Sequence, residues 1–436
     1  MQTKLNLITE IAKRDGNCKI NNAVYLLNVE NLKECFSMLK RGKAAGIDGI
    51  DFEEYEKNLD LNLQNLVEKM KRQGYKPQPV RRTYIPKANG KLRPLGIPSI
   101  EDKVVQMGIS RILEAIYEVD FLDFSYGFRP YRSCHQALDC LDKIIMTKPI
   151  NHIIDADIKG FFDNVNHDWM KKFLGHRISD PNLLRLIARF LRNGYMEEGK
   201  IYDSEKGTPQ GGVISPILAN VYLHYALDLW LERVIKPRCR GAVEIVRYCD
   251  DFVICVQYKD EAGRILEMLK ERLGKFNLEL AGDKTRIIEF GRYARRNAQA
   301  KGRKPETFDF LGFTHFIDKS RKGNFKLGRK TDKKKMTAKL KEMKIWLREI
   351  RNQYPTREWW KTLKAKLSGH FRYYGISGNF RSIRKYYRLT LRLVYKWMNR
   401  RSQKKSFNWE TFAEYLKIHE LPKPKIYHNF YTLFAY

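Results

Sequence analysis

The tetrapeptide Tyr248-Cys249-Asp250-Asp251, set between the apolar runs Val243 to Val246 and Phe252 to Val256, is the feature that most constrains this chain. The flanking β-branched residues predict two strands, and the tetrapeptide predicts their turn, where Asp is a favoured residue. Adjacent carboxylates repel one another, and apolar strands desolvate them, so one pKa is driven up unless a cation is near. A divalent metal removes that cost. Oxygen ligands from a hairpin turn and from the end of a neighbouring strand suit Mg²⁺ that also holds phosphates and water. A solvated turn with two aspartates is the plain alternative, and the rest of the chain decides between them.

A partner for the turn lies upstream, in Ile153-Ile154-Asp155-Ala156-Asp157. Asp155 and Asp157 project from one side of a strand over His152 to Asp157. Asp157, nearer the strand end, is the expected ligand, and Asp155 reads as a surface carboxylate. With Asp250 it would grip two ions about 4 Å apart, the spacing of in-line phosphoryl transfer. Asp251 is a third ligand or a carboxylate just behind the others.

Further constellations accompany the acids. Lys206-Gly207-Thr208-Pro209-Gln210-Gly211-Gly212 is a glycine-rich approach to a helix opened by Ser215-Pro216, which permits close backbone contact with a ligand and gives Gln210 a donor and an acceptor to offer. Val80 to Pro86 and Leu92 to Pro98 predict a β-hairpin through Asn89-Gly90. Lys87 and Arg93 on its two arms form a cationic clamp fit for a triphosphate. Lys284 reads either as a proton donor to a leaving pyrophosphate or as a solvated lysine.

At 436 residues the chain is long enough for two or three domains, and its formal charge of +33 calls for a polyanionic partner. From Ile317 onward there are 32 Lys and Arg against 8 Asp and Glu, a net +24, which leaves +9 for the preceding part. Seven scattered cysteines without a C-x-x-C pair predict free thiols in a reducing cytoplasm. The absence of a long apolar run argues against membrane spanning. Helical spacing marks Leu32 to Leu39, Leu61 to Met70, Val104 to Tyr117, Asp168 to Leu174, Pro181 to Leu191 and Ser215 to Val234. Strands and helices alternate irregularly through the middle, so an α+β fold is expected, with helices again from Thr331.

Taken together, these residues resemble the reverse transcriptase and maturase encoded within bacterial group II introns. The likeness rests on the loop at Arg41 to Asp51, the hairpin at Ile85 to Pro98, Ser125-Tyr126-Gly127-Phe128-Arg129-Pro130, Asp157, the Gln210 loop, Tyr248 to Asp251, Lys284 and Phe308 to Phe313. It implies a right-hand polymerase: fingers with an N-terminal extension over 1–150, a palm with antiparallel sheet over 151–316, and a helical, RNA-binding thumb and maturase region over 317–436. Asp157, Asp250 and Asp251 would hold two Mg²⁺ ions. Lys87, Arg93, Phe162, Gln210 and Lys284 would meet the incoming dNTP. Phe162 would pack under the sugar and exclude a 2′-hydroxyl.

Template or intron RNA would lie against Arg41, Lys43 and Arg129, and against Arg372, Arg381, Arg384, Arg388, Arg400 and Arg401 of the tail. Aromatics interleaved with those cations, among them Trp359, Trp360, Tyr386 and Trp397, read chiefly as core. Cys249 stands where alanine is more usual. The resemblance implies an RNA template with DNA primer, a group II intron RNA and a target DNA as partners, and splicing assistance and retrohoming as roles. Paired His and Cys ligands of an HNH endonuclease do not follow Lys425, so a pre-existing DNA 3′ end is the expected primer. A polymerase detached from its intron and serving repair or phage defence shares every catalytic residue. A splicing factor with a dead polymerase does not, since it need not retain the three aspartates.

Overall fold

The structure is a computed structural model that describes residues 1–86, 92–203, 206–208, 211–320, 322–401 and 406–431. Lys87, the Asn89-Gly90 turn and Gln210 lie outside the described residues. The strands in chain order are β1 (Val80–Pro86), β2 (Leu92–Ile97), β3 (His152–Asp157), β4 (Tyr195–Glu197), β5 (Lys200–Tyr202), β6 (Val243–Tyr248), β7 (Asp251–Val256), β8 (Arg286–Glu289), β9 (Phe308–Phe310), β10 (Phe313–Lys319) and β11 (Phe325–Thr331). They form three sheets, ordered β2-β1-β4-β5, β6-β7-β3-β8 and β11-β10-β9. The chain separates into two compact units, Met1–Ala137 with Ile154–Ile287, and Leu138–Ile153 with Ile288–Tyr436.

The first unit is organised around the helix Ile100–Tyr117. Ser99 opens it by accepting a hydrogen bond from the Asp102 backbone, which satisfies one of the orphan donors of the first turn. Val104, Val105, Ile109, Ile112, Leu113 and Ile116 are fully buried, a run too broad for a surface helix and proper to a central one. The helices Val29–Ser37 and Leu59–Lys71 bear on the same apolar core. That core continues through the inward residues of β6 and β7, including Ile245, Phe252 and Ile254. The predicted β1–β2 hairpin is present with Ile85 opposite Arg93. The segment expected as one helix from Ser215 to Val234 is α-helical only over Ser215–Leu223. It then widens into π turns at His224–Asp228 and Leu231–Ile235. Each widening adds a residue to a turn and re-aims the side chains beyond it.

The second unit contains the antiparallel sheet β9–β10–β11 and the long helices Lys333–Ile350, Thr356–Tyr374 and Phe380–Met398. The boundary expected between residues 316 and 317 therefore runs through β10, and strand continues to Thr331 before the helices begin. Trp359, Trp360, Phe371, Tyr386 and Trp397 are buried, so these tail aromatics are packing residues. Arg329 of β11 is fully buried and paired with Asp142. None of the seven cysteines is joined in a disulfide, and among the described residues no helix is long and apolar enough to cross a membrane.

Candidate active site

β6 and β7 pair in register from Val243 opposite Val256 to Tyr248 opposite Asp251, so Cys249 and Asp250 alone make the turn. Two-residue turns that suit the twist of paired strands need positive φ. Cys249 supplies it at φ 59°, a conformation that costs a residue with a Cβ about 1–2 kcal/mol. The surroundings hold it there. Gly127 lies so close that a Cβ on it would stand 2.3 Å from the Cys249 nitrogen, which explains glycine at this place in the Ser125 to Pro130 motif. The same motif covers the free edge of β6: the Tyr126 N–H donates to the Arg247 carbonyl at 2.9 Å, and the Arg247 N–H to the Phe124 carbonyl at 2.9 Å.

Asp157 ends β3, next to β7 in the sheet. Its carbonyl accepts from the Ala281 N–H at 2.8 Å, which ties down the segment carrying Lys284. The Lys284 Nζ reaches the Asp157 Oδ2 at 2.5 Å, and this bond holds the lysine above its ordinary pKa. Asp155 faces Arg286, 3.8 Å away. Asp250 is raised above the ordinary carboxylate range, chiefly by burial and further by the Asp157 charge, while Arg93 of β2 opposes the shift. The structure thus brings Asp157, Asp250, Lys284 and Arg93 within electrostatic reach of one another.

Phe162 belongs to a short helix, Phe161–Asn164, that follows directly from β3 and begins after Gly160 at φ 54°. Its carbonyl accepts from the Thr208 N–H, and that of Val165 from the Gly207 N–H, each at 2.7 Å. A Cβ at Gly207 would stand 2.9 Å from the Phe162 carbonyl oxygen, so only glycine allows this approach. The Phe162 side chain lines a cavity of about 810 Å³ shared with Arg82, Gly96, Asp163, Lys206 and Thr208. Arg82, which stacks over Tyr195 at 3.4 Å, was not singled out by sequence; an arginine between strand residues gave the only hint.

Among the expected RNA contacts, Arg129 requires correction. Its side chain is 3% exposed, and its guanidinium is spent on Glu118 at 2.7 Å and on the Leu122 and Ser125 carbonyls at 2.7 and 2.8 Å. It braces the motif from inside. Arg41 is exposed but paired with Glu56 at 2.6 Å, and Lys43 is exposed. Arg372, Arg381, Arg384, Arg388, Arg400 and Arg401 are all exposed. Arg381, Arg384 and Arg388 follow helical spacing and form one stripe on Phe380–Met398.

The donor set fits a divalent cation: carboxylate oxygens, mutual repulsion and a pKa on Asp250 that a metal charge would relieve. Among the described residues no three His, Cys, Asp or Glu side chains are gathered closely enough to hold an ion unaided. A stability test follows from the sign of the shift. A carboxylate whose pKa rises on folding opposes folding when ionised, and the penalty enters as pH rises above about 3.9. In EDTA at pH 7, Asp250→Asn should therefore melt above wild type, and the gap should close in acid. A variant that melts at or below wild type at pH 7 contradicts the assignment.

Comparison with known proteins agrees with this geometry. The family model described as reverse transcriptase (RNA-dependent DNA polymerase) matches residues 85–315, more than half of the chain. The group II intron-encoded protein LtrA of Lactococcus lactis is 33% identical over 281 residues, covering 62% of this chain and 47% of LtrA. Protein YkfC of Escherichia coli is 34% identical over 279 residues, covering 57% of this chain and 73% of YkfC. Nuclear intron maturase 3, mitochondrial, of Arabidopsis thaliana is 28% identical over 204 residues, 41% of this chain and 28% of that protein. The chain spans about half the length of LtrA. Arg93, Asp157, Phe162, Asp250, Asp251 and Lys284 all fall inside the matched span, and the chain belongs to the reverse transcriptase family.

Proposed function

We propose that this chain is an RNA-directed DNA polymerase that binds a group II intron RNA, assists its splicing and copies it into DNA. The observation that carries the polymerase reading is the meeting of Asp157 with Asp250 beside Lys284 and Arg93. In the proposed right-hand arrangement the first unit supplies fingers and palm. Mg²⁺ held by Asp157, Asp250 and Asp251 would supply Lewis-acid stabilisation of the charge that develops on the transferred phosphoryl group.

The chain's own residues do the positioning. Arg93, free to point from an exposed strand, binds the triphosphate through its guanidinium fork. Phe162 occupies the sugar's lower face, and its carbonyl is fixed by Thr208, so the ring has a defined height. Attack of the primer 3′-oxygen on the α-phosphorus expels pyrophosphate. Lys284, kept protonated by its bond to Asp157, is a cation able to meet that leaving charge. LtrA and the Arabidopsis maturase carry intron in their names, and the exposed arginine stripe with the +24 tail suits the phosphates of folded RNA, which is recognised mainly by shape and backbone.

Primer extension on an RNA template tests this reading. Wild type should extend with dNTPs and a divalent metal, and Asp250→Asn should lose at least about a thousandfold; equal rates would refute it. Phe162→Ala should raise ribonucleotide use relative to dNTP use by about ten- to a hundredfold, the range one steric contact controls. Unchanged sugar discrimination in the same assay would remove Phe162 from the sugar site.

A further inference from the structure

Arg247 is a charged residue on the inward face of β6, in line with Val243 and Ile245, and both it and Asp228 are fully buried. Its Nε donates to the Asp228 Oδ1 at 2.8 Å and its Nη2 to the Asp228 Oδ2 at 2.5 Å, a bidentate fork. Its Nη1 turns the other way. It donates to the Cys249 carbonyl at 2.9 Å and to the Asn220 Oδ1 at 3.1 Å. Asn220, also fully buried, uses its Nδ2 to donate to the Gly127 carbonyl at 2.7 Å. Gly127 in turn is the residue packed on the Cys249 nitrogen.

A burial of this kind is not needed for packing. An apolar pair of similar volume serves a core as well or better, because taking two charges out of water costs about what their attraction returns. What the ion pair adds is direction. The π turn at His224–Asp228 aims Asp228 inward, Asp228 orients the guanidinium, and the guanidinium grips the carbonyl of the residue whose positive φ sets the turn. Asn220, bonded to the same Nη1, carries the linkage on to the Gly127 carbonyl. The two carboxylates that follow Cys249 thus leave a backbone held at the Cys249 carbonyl and packed at its nitrogen.

We infer that Arg247, oriented by Asp228 and coupled through Asn220 to Gly127, is a positioning residue for Asp250 and Asp251. It sets the height and tilt of the catalytic turn without touching nucleotide or metal. The inference rests on the polymerase reading above. Displacements of about 1 Å in catalytic groups cost about a hundredfold in rate, so the effect belongs in kcat and metal dependence more than in nucleotide KM.

The test is the double variant Arg247→Met/Asp228→Leu, which removes both charges together and, with them, the donor to the Cys249 carbonyl and to the Asn220 Oδ1. Two readouts are taken in parallel: the Mg²⁺ concentration that gives half of the metal-induced rise in melting temperature, and primer-extension kcat and dNTP KM. The double variant should melt close to wild type in EDTA. Its Mg²⁺ midpoint should rise by about tenfold or more and kcat fall by about a hundredfold, with dNTP KM changed far less. A wild-type Mg²⁺ midpoint and kcat overturn the inference. If the double variant does not fold, Arg247→Lys keeps a cation beside Asp228 but surrenders the fork, and the same shift in Mg²⁺ midpoint is expected, an unchanged midpoint again overturning it. Wild type is the control for the underlying reading: no Mg²⁺ response and no extension by wild type would sink the polymerase assignment itself.

Discussion

Asp157 and Asp250 are like charges that the fold brings into each other's field in a partly desolvated place, and the rest of the first unit is arranged around that repulsion. Burial and the neighbouring carboxylate raise Asp250 while Arg93 opposes the rise, and Lys284 is bonded to Asp157. Such a site is poor for stability, and on the proposed reading a bound cation and polyphosphate would relieve it. Activity at the expense of folding free energy is a familiar bargain in active sites.

Holding the carboxylates there demands a rigid turn. Cys249 takes a left-handed conformation, Gly127 leaves the space for it, and the Arg247–Asp228–Asn220 set fixes its carbonyl. Two apparently separate sequence features, the Ser125 to Pro130 motif and the Tyr248 to Asp251 box, are therefore one structural object. Arg129 belongs to the same object, since its guanidinium binds the carbonyls of Leu122 and Ser125.

Much of this was legible in the sequence, for definable reasons. The β6–β7 hairpin shows itself through β-branched runs around turn residues, and the strand to Asp157 through its apolar alternation. Choosing Asp157 over Asp155 required only the strand end. What sequence could not give depends on tertiary partners. Arg129 looked like a template contact because an arginine in a motif carries no mark of whether it faces water or a ring of carbonyls. The short strands β4, β5 and β9 have too few residues for a period to emerge, and no residue type marks the extra residue that each π turn at His224–Asp228 and Leu231–Ile235 inserts. Arg247 drew no notice as a residue beside the Tyr248 to Asp251 box, and only the structure shows it buried against Asp228.

The most direct test of the central claim is to locate divalent metal against these carboxylates. Crystals grown with Mn²⁺, an RNA template, a dideoxy-terminated DNA primer and the next dNTP should give anomalous difference density contacting Asp157 and Asp250, with the triphosphate on the Arg93 side. Anomalous density elsewhere, or none beside Asp250 with the dNTP bound, would contradict the account.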